Sequence, residues 1–250
     1  MKRALLSVWD KTHIIELGKF LVNNNFEIIS TGGTKKTLED NGIKVTSISS
    51  LTEFDEFMNG RVKTLHPKIF GGILADRKNE NHLNDLKKIK GKIIDLVVVN
   101  LYPFEDMAAK NSMTLNKLIE YIDVGGPSML RAAAKNYNSV ITLCSPNMYQ
   151  DFMIDFSNSN GNINLDLRKF YASKVFLETS KYDSVIYNKF LEKDNKKSLS
   201  NSLNINLNKS FDLRYGENPH QQSSFYTDKI SSCWKQLSGK KLSYNNFFDM

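Results

Sequence analysis

The chain has 250 residues, 40% of them hydrophobic, enough for one sizeable core or for one domain and part of a second. Its formal charge of +7 suits an anionic small molecule or a polynucleotide, but the excess lysine lies in solvated runs such as Lys87-Lys88-Ile89-Lys90, and no aromatic–basic alternation marks a single-strand binder, so nucleic acid is set aside. The two cysteines, Cys144 and Cys233, match neither a metal-ligand spacing nor a disulfide framework, and the short apolar run after Lys2-Arg3 is too brief for a signal peptide or a membrane span; a cytoplasmic protein without membrane attachment or a zinc site is predicted.

Residues 4–9 form a compact apolar run that predicts a strand, and an amphipathic helix over 14–22 follows, ending at the turn Asn23-Asn24-Asn25. A second strand over 26–29 ends in Ser30-Thr31-Gly32-Gly33-Thr34, ahead of a helix over 35–41 and a third strand over 45–48. Alternating strands and helices predict an α/β fold, an open and mostly parallel sheet with helices on both faces. In such a sheet the site lies beyond the strand C-termini, where both Ser7-Val8-Trp9-Asp10-Lys11 and the Thr-Gly-Gly-Thr turn fall. The second is an anion candidate, because paired glycines let backbone N–H groups converge and the next helix offers its positive end. Taken alone it reads equally well as a steric turn.

The densest chemistry is Gly60-Arg61-Val62-Lys63-Thr64-Leu65-His66-Pro67-Lys68-Ile69-Phe70-Gly71-Gly72. Three cations, a hydroxyl and a histidine stand between glycines that permit unusual backbone angles, which predicts a rigid anion-holding loop. A lysine-rich helix over 81–90 follows. Residues 93–99, nearly all β-branched, predict a buried central strand that delivers Asn100-Leu101-Tyr102-Pro103-Phe104 to the same sheet edge. A helix over 115–122 breaks at Asp123-Val124-Gly125-Gly126-Pro127, where an aspartate ordinarily caps the next helix, here over 128–136. Arg131 and Lys135 share one face of it. A strand over 139–144, a helix over 147–156 and a long helix over 165–190 complete the first domain.

The polar, asparagine-rich stretch 192–210 reads as a linker, placing one domain at 1–191 and a second segment at 211–250, which carries Leu213-Arg214-Tyr215-Gly216-Glu217-Asn218-Pro219-His220-Gln221. In order and spacing, the motifs around Lys11, Thr31-Gly32-Gly33-Thr34, Arg61 to Pro67, Asn100 to Phe104, Asp123 to Gly126, and Arg131-Ala132-Ala133-Ala134-Lys135-Asn136 resemble the IMP cyclohydrolase domain of the bifunctional purine biosynthesis proteins. The likeness covers about residues 3–190, and the Arg-Tyr-Gly motif resembles the opening of their AICAR transformylase domain.

That resemblance implies a methylglyoxal-synthase-like fold, a homodimer and a dehydrative ring closure of FAICAR to IMP that uses no metal or organic cofactor. It also implies a catalytic set of Lys63, Tyr102, Asp123 and Lys135. In it Lys135 transfers the proton, Asp123 orients the carboxamide or shares its proton, and Lys63 with Tyr102 polarises the formyl oxygen. Lys11, Thr31, Gly32, Gly33, Thr34, Arg61 and Thr64 would hold the phosphate, with Ser7 and Asp10 also contacting substrate and Asn100 and Gly125 lining base and ribose. Trp9 stands where relatives often carry serine, and His66 is expected to make a structural bond within its loop. The transformylase of full-length relatives takes its formyl group from 10-formyltetrahydrofolate and contacts AICAR through residues matching Arg214 and Tyr215. Its downstream lysine–histidine pair has no counterpart here, so no formyl transfer is expected of this chain. The competing reading is a methylglyoxal-synthase-like regulatory module that binds a phosphometabolite without chemistry; it accounts for the turn and the cations but not for the four-residue set.

Overall fold

The computed structural model describes residues 1–58, 60–110, 113–191, 202–227 and 236–248. It divides into two compact units, Met1–Ile186 and Tyr187–Met250. In chain order the elements are β1 (Lys2–Val8), α1 (Ile14–Asn23), β2 (Phe26–Ser30), α2 (Gly32–Glu39), β3 (Thr46–Ser47), α3 (Ile48–Thr52), α4 (Pro67–Leu74), α5 (Glu80–Lys88) and β4 (Leu96–Asn100). They continue as α6 (Phe104–Ala108), α7 (Leu115–Ile119), α8 (Gly125–Lys135), β5 (Ile141–Leu143), α9 (Tyr149–Asn158), α10 (Leu165–Leu191), β6 (Asn208–Asp212), β7 (Ser224–Thr227) and α11 (Asn245–Phe248).

Five strands form one sheet in the order β3-β2-β1-β4-β5, and every pairing is parallel. From β1 the chain steps outward through β2 to β3, then returns across β1 to lay β4 on its other side, with Ala4 opposite Leu96 and Val8 opposite Asn100. The strand order reverses between β1 and β4, so a crevice opens there beyond the strand C-termini.

Alternation along β1 separates the two faces. Ala4, Leu6 and Val8 pack with α1, α9 and Tyr171 of α10, whereas Leu5 packs with Ile69 and Ile73 of α4 and with Met129, Leu130 and Ala133 of α8. The predicted class, a mostly parallel α/β sheet covered on both faces, is the fold observed.

Several local expectations are corrected. The stretch 60–72 is a loop only as far as His66; Pro67 opens α4, and Gly71 and Gly72 lie inside that helix. Their smallness serves packing, since a Cβ on Gly72 would collide with the Lys92 carbonyl. Helix α2 begins at Gly32 rather than after the turn, so Gly32-Gly33-Thr34 is its first turn. The strand expected over 93–99 begins only at Leu96, although the Asp95 backbone already donates to Arg3 C=O at 2.8 Å and accepts from Ile141 N–H at 3.0 Å; the Asp95 carboxylate pairs with Arg77 at 2.9 Å and accepts from the Arg3 N–H at 2.6 Å. Helices α3 and α6 escaped the sequence reading, each being only five residues long.

In the second unit, β6 and β7 pair antiparallel, and Phe225 stacks between Phe211 and Phe247 with ring centroids 5.4 and 5.0 Å apart. Strand β6 starts at Asn208, inside the stretch read as linker, while α10 runs to Leu191. Residues 192–201 of that linker lie outside the described residues. No helix among the described residues is long and apolar enough to cross a membrane.

Candidate active site

The loops after β1 and β4 are tied to each other first. Asn100 Oδ1 accepts from the Trp9 and Asp10 N–H groups at 2.7 and 2.9 Å, and its Nδ2 donates to the Asp10 carbonyl at 2.8 Å. Asp10 in turn accepts from the Thr12 hydroxyl at 2.6 Å and the Thr12 N–H at 2.9 Å, bonds that hold its carboxyl below the ordinary 3.8. Asn100, expected to face substrate, therefore spends its amide on the shape of the loop, and Asp10, expected there too, spends one carboxylate oxygen, Oδ1, on it. Ser7 is half-buried in register with Val99, on the same face as Leu5.

That loop presents Lys11 to the start of α2. Thr31 is the N-cap but makes no side-chain cap bond, so the N–H groups of Gly32, Gly33 and Thr34 have no upstream carbonyl within the helix. A carbon built on Gly33 would lie 3.6 Å from Lys11 Nζ, and one built on Gly32 would lie 3.8 Å from Lys63 Nζ. Two ammonium groups thus stand over one helix N-terminus whose partial charge has the same sign. Such a cradle takes an anion with several oxygens, and a side chain at either glycine would fill it. Gly32 also has φ 53°, a conformation that L side chains rarely adopt. The Thr34 hydroxyl is not part of the cradle: it accepts from Val8 N–H and donates to Val8 C=O, both at 3.0 Å, and is buried in stapling α2 to β1.

Lys63 reaches this point because the chain reverses just before it. Phe57 and Val62 exchange backbone hydrogen bonds at 2.8 and 3.2 Å, with Gly60 at φ 84°. Arg61, expected at the phosphate, points elsewhere; its Nη2 pairs with the Glu120 carboxylate just past α7, and both side chains are exposed. Thr64 is buried against the first turn of α8, its Oγ1 2.8 Å from where a Cβ on Gly125 would stand, which is why that position takes glycine. His66 is the N-cap of α4, its Nδ1 accepting from the Lys68 N–H at 3.1 Å, the structural bond expected of it.

Asp123 is the centre of the remaining chemistry. Its Oδ1 accepts from Gly126 N–H at 2.8 Å at the mouth of α8, so it does cap that helix. Burial raises its carboxyl above the ordinary 3.8, opposed by the Gly126 N–H, the Lys63 charge and the Gly125 N–H. Tyr102 lies close enough that its hydroxyl is also pushed up, by burial and then by the charge of Asp123. The Trp9 ring leans on Tyr102 with centroids 5.0 Å apart, so the indole packs against the proposed catalytic phenol. Lys63, Tyr102 and Asp123 therefore share one neighbourhood between the two helix N-termini.

Lys135 does not join them. It ends α8, ten residues past Gly125, which at helical rise is about 15 Å along the axis. It is exposed there, on the face where Arg131 lies over the Phe176 ring at 5.7 Å. The sequence reading missed Tyr182, whose hydroxyl accepts from Asp123 N–H at 2.8 Å and donates to Tyr121 C=O at 3.1 Å. No local pattern could reveal it, because the partners are 59 residues apart. In the second unit, Arg214 stacks over the Tyr215 ring at 5.1 Å, with its Nη2 3.4 Å from the Tyr215 hydroxyl.

A parallel sheet with a cationic, glycine-lined cradle beyond the C-termini of β1 and β2 defines an α/β domain of the methylglyoxal-synthase-like class, and the family model for the MGS-like domain matches residues 13–128. The model of the AICARFT/IMPCHase bienzyme matches residues 133–250. Over its whole length the chain is 46% identical to the bifunctional purine biosynthesis protein PurH of Fusobacterium nucleatum and 45% identical to that of Acetivibrio thermocellus, covering 49% of each. The crystal structure of ForH superposes with a TM-score of 0.66 at 34% identity, covering 76% of this chain and 98% of that one. The chain belongs to the family of bifunctional purine biosynthesis proteins. It spans about half the length of the curated relatives it matches.

Proposed function

We propose that the first unit is an IMP cyclohydrolase, closing the second ring of FAICAR with loss of water. The observation that carries this reading is the meeting of Lys63, Tyr102 and Asp123 beside a cradle of phosphate character, Lys11 with the α2 N-terminus. A nucleotide phosphate in the cradle lets the base extend toward α8, past Thr64 and Gly125.

The chemistry asks for few groups. The carboxamide nitrogen attacks the formyl carbon, the two groups already adjacent on one ring, so orientation removes much of the barrier. The carboxamide nitrogen gives up one proton as its bond to carbon forms, and the formyl oxygen gathers negative charge and is protonated to a hydroxyl. That hydroxyl leaves as water on a second protonation, as the C–O bond breaks and the formamide nitrogen gives up its own proton to form the ring C=N bond. Asp123, whose carboxyl burial raises above the ordinary 3.8, orients the carboxamide and shares its proton. The Lys63 ammonium and the Tyr102 hydroxyl donate to the formyl oxygen as its charge grows. No cofactor is consumed in these steps.

Lys135, which we keep as the proton-transfer residue, enters this site from a second copy of the chain, because within one chain α8 holds it three turns away. A cytoplasmic homodimer follows, and the exposed Phe170, Phe176 and Leu177 of α10 are apolar surface that a second copy can cover. Formation of IMP from FAICAR by the 250-residue chain, followed by ultraviolet absorbance, tests the reading. A preparation that binds FAICAR without producing IMP would overturn it in favour of a binding module.

A further inference from the structure

We infer that Tyr182 is a positioning residue for Asp123, fixing the turn between α7 and α8 onto α10 through its hydroxyl; the inference rests on the cyclohydrolase reading above. The Tyr182 oxygen accepts from Asp123 N–H at 2.8 Å and donates to Tyr121 C=O at 3.1 Å, so one atom spans the turn that carries the carboxylate. The side chain is only 8% exposed and emerges from a long helix, so the bridge is anchored in the fold and not in a loop. The backbone of Asp123 is thereby held by Tyr182 and its carboxylate by Gly126 N–H at 2.8 Å.

The same ring steadies the second catalytic loop. Tyr182 meets Phe104 edge-on, with centroids 6.3 Å apart, and Phe104 N–H donates to Tyr102 C=O at 2.7 Å. Tyr102 arrives from the β4–α6 connection and Asp123 from the α7–α8 turn, and the two must be registered within a fraction of an ångström for shared work. Tyr182 touches both connections. Its hydroxyl is pushed up to about 12, by burial first and then, after the opposing Asp123 N–H bond, by the charges of Asp123, Asp183 and Tyr102, so it stays a neutral donor throughout the working pH range. The charged and titratable groups facing Asp123 are Lys63 and Tyr102 together with Tyr182.

Tyr182→Phe keeps the ring against Phe104 and deletes only the bridge. With FAICAR as substrate, kcat should fall about tenfold while KM stays within about twofold, because the phosphate cradle is untouched. The acid limb of the pH profile should move with the Asp123 carboxyl, read independently by carbon-13 NMR of labelled aspartate. In an Asp123→Asn background the same change should cost almost nothing further, since Tyr182 acts through Asp123. A kcat within about twofold of the parent together with an unmoved Asp123 titration overturns the inference, as does a double variant slowed by the full product of the two single effects. If the parent chain makes no IMP, the cyclohydrolase reading falls, and the Asp123 titration with and without the Tyr182 hydroxyl still decides whether Tyr182 positions it.

Discussion

Replacing Gly126 by alanine should separate catalysis from stability at this site. The new methyl carbon would stand 2.9 Å from Asp123 Cγ and 3.1 Å from Leu101 Cδ2, with the carboxylate oxygen Oδ2 closer still. Carbon atoms settle at about 3.5–4.0 Å, so the carboxyl must retreat by about 1 Å and give up its bond from Gly126 N–H. A displacement of that size costs about a hundredfold in rate, equal to about 2.7 kcal/mol of transition-state stabilisation. The fold is affected in the opposite sense by a second effect: Gly126 lies inside α8 at ordinary helical angles, and alanine there favours the helix by about 1 kcal/mol, offsetting much of the lost hydrogen bond. The expected result is a kcat for IMP formation lowered about a hundredfold with a Tm within a few degrees of the parent, measured by single-turnover assay and by scanning calorimetry. Turnover within about threefold of the parent would show that the Asp123 carboxylate is not held where the reaction needs it.

Other outcomes are open to measurement. Because burial raises the Asp123 carboxyl above 3.8, the folded chain binds more protons than the unfolded one between that value and the raised one, and stability is lost as pH rises through the window. Asp123→Asn removes this loss, so its Tm advantage over the parent should be small near about pH 4 and grow toward neutrality, and a pH-independent difference refutes the assignment. Glu120→Gln should release Arg61 toward the phosphate and lower KM about twofold, with little change in Tm because the pair is exposed; an unchanged KM leaves Arg61 outside the site. Co-expressed Asp123→Asn and Lys135→Ala chains should regain about a quarter of parental activity, since half the dimers are mixed and each mixed dimer has one complete site. Activity no higher than the two variants alone places Lys135 elsewhere.

Much of this protein is legible from local chemistry alone. The alternation of short apolar runs with helical periodicity specifies a parallel α/β sheet, and glycines with hydroxyls at strand ends mark the anion cradle because only small residues let backbone N–H groups converge. The roles of individual polar atoms were not legible, because a side chain chooses among partners that the chain brings together from far away. Asn100, Thr34 and Arg61 all look like ligand contacts as letters, yet Asn100 clamps a loop 90 residues away, Thr34 staples its helix to β1, and Arg61 is held by Glu120. Tyr182 shows the converse, an unremarkable letter in a long helix that tertiary packing carries to the Asp123 backbone. Residue types and their spacing determined the parallel α/β fold by themselves, and they pointed to the sheet edge where the candidate site lies. Which atoms remain free to meet a substrate was decided by tertiary structure, since a buried polar group must first satisfy its own hydrogen bonds.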